Sequence, residues 1–201
     1  LINENLDDIN VYNDRNLQEI NNLLTQYYKV FGYNLVEIDY STNKNSEGLM
    51  DLSFDITEGE ITKIERINII GNKEFSTRKI KSIIRSSESK FYKLVSGRSK
   101  FNENLIYIDE SKIKEYYLNQ GYRNIEVISS IGEFIKDTNK VILNYFIDEG
   151  QKFKISNIGI IFDDDISTSD LFLKDDLINN LAIKINKIYS RNKINESSKQ
   201  I

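Results

Sequence analysis

The side chains of this chain that could do chemistry are nearly all carboxylates, 31 Asp and Glu in 201 residues. There is no His and no Cys. The commonest general base and zinc ligand is therefore absent. So are thiolate nucleophiles, disulfides and Cys-ligated metals. The densest acidic run is Asp163-Asp164-Asp165 with Asp170. A calcium loop sets oxygen ligands at alternating positions around a glycine. The run lacks that pattern and reads as a solvated acidic turn. A hydrolase built on two carboxylates is the one enzyme class left open, and no spacing pairs two of them across a cleft. The expectation is a protein that binds rather than catalyses, with no cofactor and no metal. Asn195-Glu196-Ser197 fits a glycosylation acceptor and reads as a chance match.

Charge narrows the partners. The formal charge is −4 and no Lys/Arg run stands out, whereas a nucleic-acid binder shows a basic face. No nucleic-acid partner is expected. The apolar fraction of 39% and charged fraction of 29% are those of an ordinary globular protein. The longest apolar stretches, such as Ile67–Ile70 and Ile158–Phe162, are of strand length. None approaches the ~18 residues of a membrane helix. Residue 1 is not Met and no signal-like stretch follows it, so the chain reads as beginning inside a longer protein.

The elements that must position any site are written twice. YYKVFGY (27–33) recurs as YYLNQGY (116–122), an offset of 89 residues. Tyr12-Asn13 recurs as Phe101-Asn102 at the same offset. DLSFDITEGEITKI (51–64) recurs as ILNYFIDEGQKFKI (142–155) at an offset of 91. The two extra residues fall in the turns within Ser41–Leu49 and Glu133–Lys140. A third copy opens around Ile188-Tyr189-Ser190. A period near 90 is too long for a solenoid and right for a string of small domains.

One unit reads in full from Ile61 to Gly150. TKIERINII (62–70) is a β-branched strand stopped by Gly71-Asn72. Ser76 or Thr77 caps a helix with Ile80, Ile83 and Ile84 on one side. A long connection, Ser86–Lys100, carries Phe91, Tyr92, Leu94 and Val95, which are expected to tuck under their own domain. Glu103–Gln120 is the longest helix, with an apolar stripe of Leu105, Ile106, Ile108, Ile113, Tyr116 and Tyr117. Ile125, Val127 and Ile131 alternate, as do Val141, Leu143, Tyr145 and Ile147. They predict two strands joined at Lys136-Asp137-Thr138-Asn139. The fold class is α+β, a tandem array of β-α-α-β-β units, each a three-stranded sheet with two helices on one face. Gly121 is expected to stop the long helix at positive φ, with Tyr122 packing back on the helix end. Gly32 and Tyr33 repeat the device. The glycines at 59 and 150 turn the chain into the next unit.

The assembled pattern resembles the POTRA domain. INIIGNKEFS (67–76), YYLNQGY, the hairpin, and a closing strand running into DEG (148–150) carry the resemblance, with TEG (57–59) closing the copy before. It covers nearly the whole chain: a partial domain over 1–60, a complete domain over 61–150, and the opening of a further one over 151–201. The last copy departs from the pattern, with Phe162-Asp163-Asp164-Asp165 where the GN turn belongs. The long connection makes the complete unit most like the third POTRA domain of BamA-type outer-membrane assembly factors. The resemblance implies a periplasmic scaffold that precedes a membrane β-barrel. It implies binding of unfolded outer-membrane protein clients by β-augmentation, and docking of accessory lipoproteins. A segment of a dedicated secretion transporter, and a structural spacer, are the other readings.

The free edge implied by the fold is the strand after the second helix, Asn124–Ile131 (Asn124, Ile125, Glu126, Val127, Ile128, Ser129 and onward), and Asn34–Ser41 in the first copy. The copies also differ. Outward positions of the closing strand are Asp51, Ser53 and Asp55 in the first, but Ile142, Asn144 and Phe146 in the second. Ile128, Ile142 and Phe146 are therefore expected to form an apolar contact face, since exposed apolar clusters mark contact sites. Gly32, Tyr33, Gly59, Gly71, Asn72, Gly121, Tyr122 and Gly150 read as fold signature.

Overall fold

The structure is a computed structural model describing residues 14–44, 46–47, 49–89, 99–161 and 176–200. The Phe91–Val95 cluster and the Asp163–Asp170 run lie outside the described residues. The elements are α1 (Asp14–Val30), β1 (Glu37–Lys44), β2 (Met50–Thr57), β3 (Lys63–Ile70), α2 (Thr77–Ile83), α3 (Glu103–Asn119), β4 (Glu126–Ile135), β5 (Lys140–Asp148) and α4 (Arg191–Ser197). No described helix is long and apolar enough to cross a membrane. The described residues within Leu1–Ile67, Arg85–Tyr107 and Gly132–Leu143 form one compact unit. Those within Asn68–Ile84, Ile108–Ile131 and Asn144–Ile201 form another. β1 and β2 pair antiparallel, from Glu37 opposite Thr57 to Lys44 opposite Met50. β3, β5 and β4 form a three-stranded sheet in that order. Glu65 meets Lys140 at 2.7 Å and Asn68 meets Asn144 at 2.8 Å. Both numbers rise together, so β3 and β5 run parallel.

The core follows from alternation. Val141, Leu143, Tyr145 and Ile147 are buried along β5, as a strand with one covered face requires. In β3 the buried set is Ile64, then Ile67 and Ile69, with Glu65 and Arg66 both exposed. The chain slips one residue out of step there. β4 does the same: Val127 and Ser129 face in, Ser130 is also half-buried, and Ile131 is exposed. The expected inward place of Ile131 is taken by Gly132. A side chain at Gly132 would come within 2.9 Å of the Phe101 ring and 3.4 Å of Val141. The slip lets the buried Phe101 ring lie across a bare backbone. Phe134 closes over it edge-on, with centroids 5.6 Å apart.

The long helix buries Ile106, Asp109, Ile113 and Tyr117. That spacing of three, four and four is one helical face. It puts Ile108, expected in the stripe, on the exposed side. Of the tyrosine pair only Tyr117 enters the core; Tyr116 is half-buried against Phe75. The buried Asp109 accepts the Tyr145 hydroxyl at 3.0 Å. The Tyr117 hydroxyl donates to buried Glu149 at 2.7 Å, and the Glu74 backbone N–H donates to the same carboxylate at 3.1 Å. A buried charge is tolerated only when bonded in this way. Glu149 thus ties the long helix to the turn before α2. In that turn Asn72 Nδ2 donates to the Phe75 carbonyl and to Thr77 Oγ1, and Ser76 caps α2. Phe75, Tyr117 and Tyr122 meet edge to face around it.

Gly71 has φ +96°, and a Cβ there would sit 2.0 Å from the Ile147 carbonyl oxygen. Gly71→Ala is expected to destabilise by roughly 2–4 kcal/mol, from backbone strain and overpacking together, measured as a lowered urea midpoint. Tyr117→Phe removes the hydroxyl donor to buried Glu149, leaving it the Glu74 N–H, and should cost about 1–3 kcal/mol in the same measurement. Alkali gives a third check. Burial first, then the bond to Glu74, push the Tyr122 phenol up to about 12, and burial with the Glu149 bond raises Tyr117 in the same sense. The fold holds both phenols protonated, while the unfolded chain ionises near 10. Stability is then full below pH about 10 and falls as pH climbs toward 12. A urea midpoint that stays level from pH 8 to 11.5 contradicts this.

Candidate protein-docking edge

A three-stranded sheet has two edges, and each presents unpaired backbone groups. The outer edge of β3 is occupied by the chain itself. The Ser89 N–H donates to the Ile64 carbonyl at 2.7 Å. The Ile67 N–H donates to the Glu88 carboxylate at 3.0 Å. The Phe101 N–H donates to the Thr62 carbonyl at 2.9 Å, and Lys63 and Lys100 form a bridge. β4 is the other edge. Among the described residues, no further strand or segment bonds along its outer side.

Along that edge the predicted residues are set as follows. Asn124 precedes the strand, packed against Gly150. Ile125 is buried and anchors the start. Glu126 is exposed, Val127 half-buried, Ile128 exposed at 66% and Ser129 half-buried. On β5, Ile142, Asn144 and Phe146 are all half-buried on the face opposite the buried set. Asn144 is bonded to Asn68 in the middle of that face. The apolar residues therefore stand on either side of a polar pair. Ile131, exposed at 51%, belongs with them. Sequence reasoning assigned it inward because strict alternation hides a one-residue slip. The one signal for it was Gly132 inside a strand pattern.

Beside the edge lies a cleft of about 710 Å³. Lys114 and Leu118 of α3 form one wall, Arg123 and the strand residues Ile125–Ile128 the floor, and Tyr189 and Arg191 the far wall. The far wall comes from the third copy and is fastened to the helix end. The Asn119 side-chain oxygen accepts from Ser190 Oγ at 3.1 Å and from the Asn192 N–H at 2.8 Å. Tyr189 donates its N–H to the Phe153 carbonyl at 2.9 Å, and Phe153 donates to the Gly121 carbonyl at 2.8 Å. Gly121 has φ +103°, which swings its carbonyl off the helix axis to reach Phe153. The first copy repeats the pattern. Phe101 donates to Thr62 at 2.9 Å and Thr62 to Gly32 at 2.8 Å. Gly32 has φ +97°, and Asn102 Nδ2 donates to the Val30 carbonyl at the helix end. Gly32 and Gly121 are therefore acceptors at the junction of successive copies, as well as helix stops. Tyr33 packs edge-on against Tyr28 as Tyr122 does against Tyr117.

Comparison with known proteins agrees with this geometry. Residues 62–150 match the family model described as POTRA, surface antigen variable number repeat. The chain is 31% identical over 140 residues to outer membrane protein assembly factor BamA of Buchnera aphidicola, covering 69% of this chain and 22% of that protein. It is 25% identical over 161 residues to BamA of Nitratidesulfovibrio vulgaris, covering 80% and 20%. It thus spans about a fifth of the length of these relatives. The crystal structure of Haemophilus influenzae BamA POTRA3-5 superposes with a TM-score of 0.53 at 16% identity, over 95% of this chain and 70% of that one. Residues 62–150 belong to the POTRA family, in a chain whose relatives are BamA-type outer membrane protein assembly factors.

Proposed function

We propose that this chain is a periplasmic segment of an outer-membrane β-barrel assembly factor that acts by binding. Successive POTRA domains over 1–60, 61–150 and 151–201 form a scaffold ahead of a membrane barrel. Unfolded outer-membrane protein clients add as a strand along β4, through Asn124, Ile125, Glu126, Val127, Ile128 and Ser129. Accessory assembly lipoproteins dock on the same scaffold. The observation that carries the reading is the asymmetry of the sheet. One edge is filled by Glu88, Ser89, Lys100 and Phe101, and among the described residues nothing bonds along the outer side of β4. Backbone pairing needs no particular client sequence, so one edge serves many clients. The relatives support the class through their names.

The test is amide hydrogen exchange with and without an unfolded outer-membrane protein. Protection is expected to rise at residues 126–131 and to stay unchanged along β3. Equal exchange in both conditions would mark the segment as a spacer. The apolar face has its own test. Phe146→Asp should weaken client capture about tenfold, the size of one lost interface anchor, with the urea midpoint held. A collapsed midpoint would assign Phe146 to the core.

A further inference from the structure

The cleft beside β4 carries a charge pattern that its counterpart in the first copy lacks. Lys114, Arg123 and Arg191 all line it against one carboxylate, Glu126, in a chain whose net charge is −4. None of the three has an ion-pair partner among the described residues. At the repeat offsets the first copy has Thr25, Asn34 and Glu103 in their places, and Asp39 where the second has Ile128. Three cationic positions become two neutral ones and an acid, while Leu118 becomes Lys29, so one cation stands in the first copy's set where the second has three. Arg191 is also the first residue of α4, an end of a helix that favours anions. Its position there is not explained by helix stability.

A strand added along β4 turns alternate side chains to opposite faces. Those on the helix side meet Lys114, Leu118, Arg123, Tyr189 and Arg191. Those on the other side meet the outward-facing Glu126 and Ile128, which also border the cleft. Acidic groups fit the first side. The second favours apolar groups, and Glu126 disfavours acids there. We infer that this cleft selects extended segments in which acidic and apolar side chains alternate, and that Arg191, supplied by the following repeat, is part of the selecting charge. The inference rests on strand addition at β4 and names the class of segment that adds.

The test uses the chain and three ten-residue peptides, alternating Val-Glu, Val-Gln and Val-Lys, with affinity read by fluorescence anisotropy and the site by amide exchange. The Val-Glu peptide should bind about tenfold tighter than Val-Lys, the size of two or three partly exposed ion pairs. The gap should shrink between 50 and 500 mM salt. Arg191→Glu improves the helix terminus, so it leaves the fold standing. It should cut the Glu-over-Lys preference several-fold and leave Val-Gln binding unchanged. Equal protection of 126–131 by all three peptides overturns the charge selection and leaves strand addition in place. No protection by any peptide overturns both. An unchanged preference in Arg191→Glu removes that residue from the site.

Discussion

A single backbone bond, donated by a residue that opens the next copy to the carbonyl of a left-handed glycine, organises the described structure. Phe153 makes it to Gly121 and Thr62 makes it to Gly32, both at 2.8 Å. Positive φ is what aims the carbonyl, and only glycine adopts it without strain. The next bond follows from the first. The carbonyl of that same residue accepts from the Tyr189 or Phe101 N–H at 2.9 Å. That brings the following segment to the helix end, where Asn119 or the Val30 carbonyl receives it. The cleft wall at Tyr189 and Arg191 exists because this chain of bonds ends there.

Inside the repeat, the locks are polar. Two buried tyrosines, Tyr117 and Tyr145, each donate to a buried carboxylate, Glu149 and Asp109. Each phenol carries ring area into the core and fixes the one direction in which its hydroxyl bonds. Apolar packing alone would tolerate a rotation of the long helix over the sheet. The Tyr117–Glu149–Glu74 connection does not, because turning the helix would take the Tyr117 hydroxyl away from a buried carboxylate. The sheet edge is thereby held in register with the helix beside it.

Much of this was legible in the sequence. The strands, the capped α2, the long helix and the hairpin all follow from periodicity and turn residues. The stop at Gly121 follows from its place after the last helical turn. Three features were not. Asp109 occupies a core position that a reader assigns to Ile108, because apolar counting overlooks a carboxylate whose partner is a tyrosine 36 residues away. Ile131 was set inward because a strand slip leaves no mark in an alternating pattern except Gly132. The capping of β3 by Glu88 and Ser89 was invisible, since it depends on where a connection folds back. The edge strand itself was placed by resemblance to a fold; periodicity does not order strands in a sheet.

The fastening of residues 189–191 to Asn119 has a consequence for how such an array is divided. A repeat boundary drawn at Gly150 leaves Lys114 and Arg123 on one fragment and Arg191 on the other. The complete domain, excised by its sequence limits, would lose one side of its cleft. With the selection proposed above, the selectivity of this domain is written partly in its successor. Reordering or deleting a domain would then alter the neighbour before it, although that neighbour's own sequence had not changed.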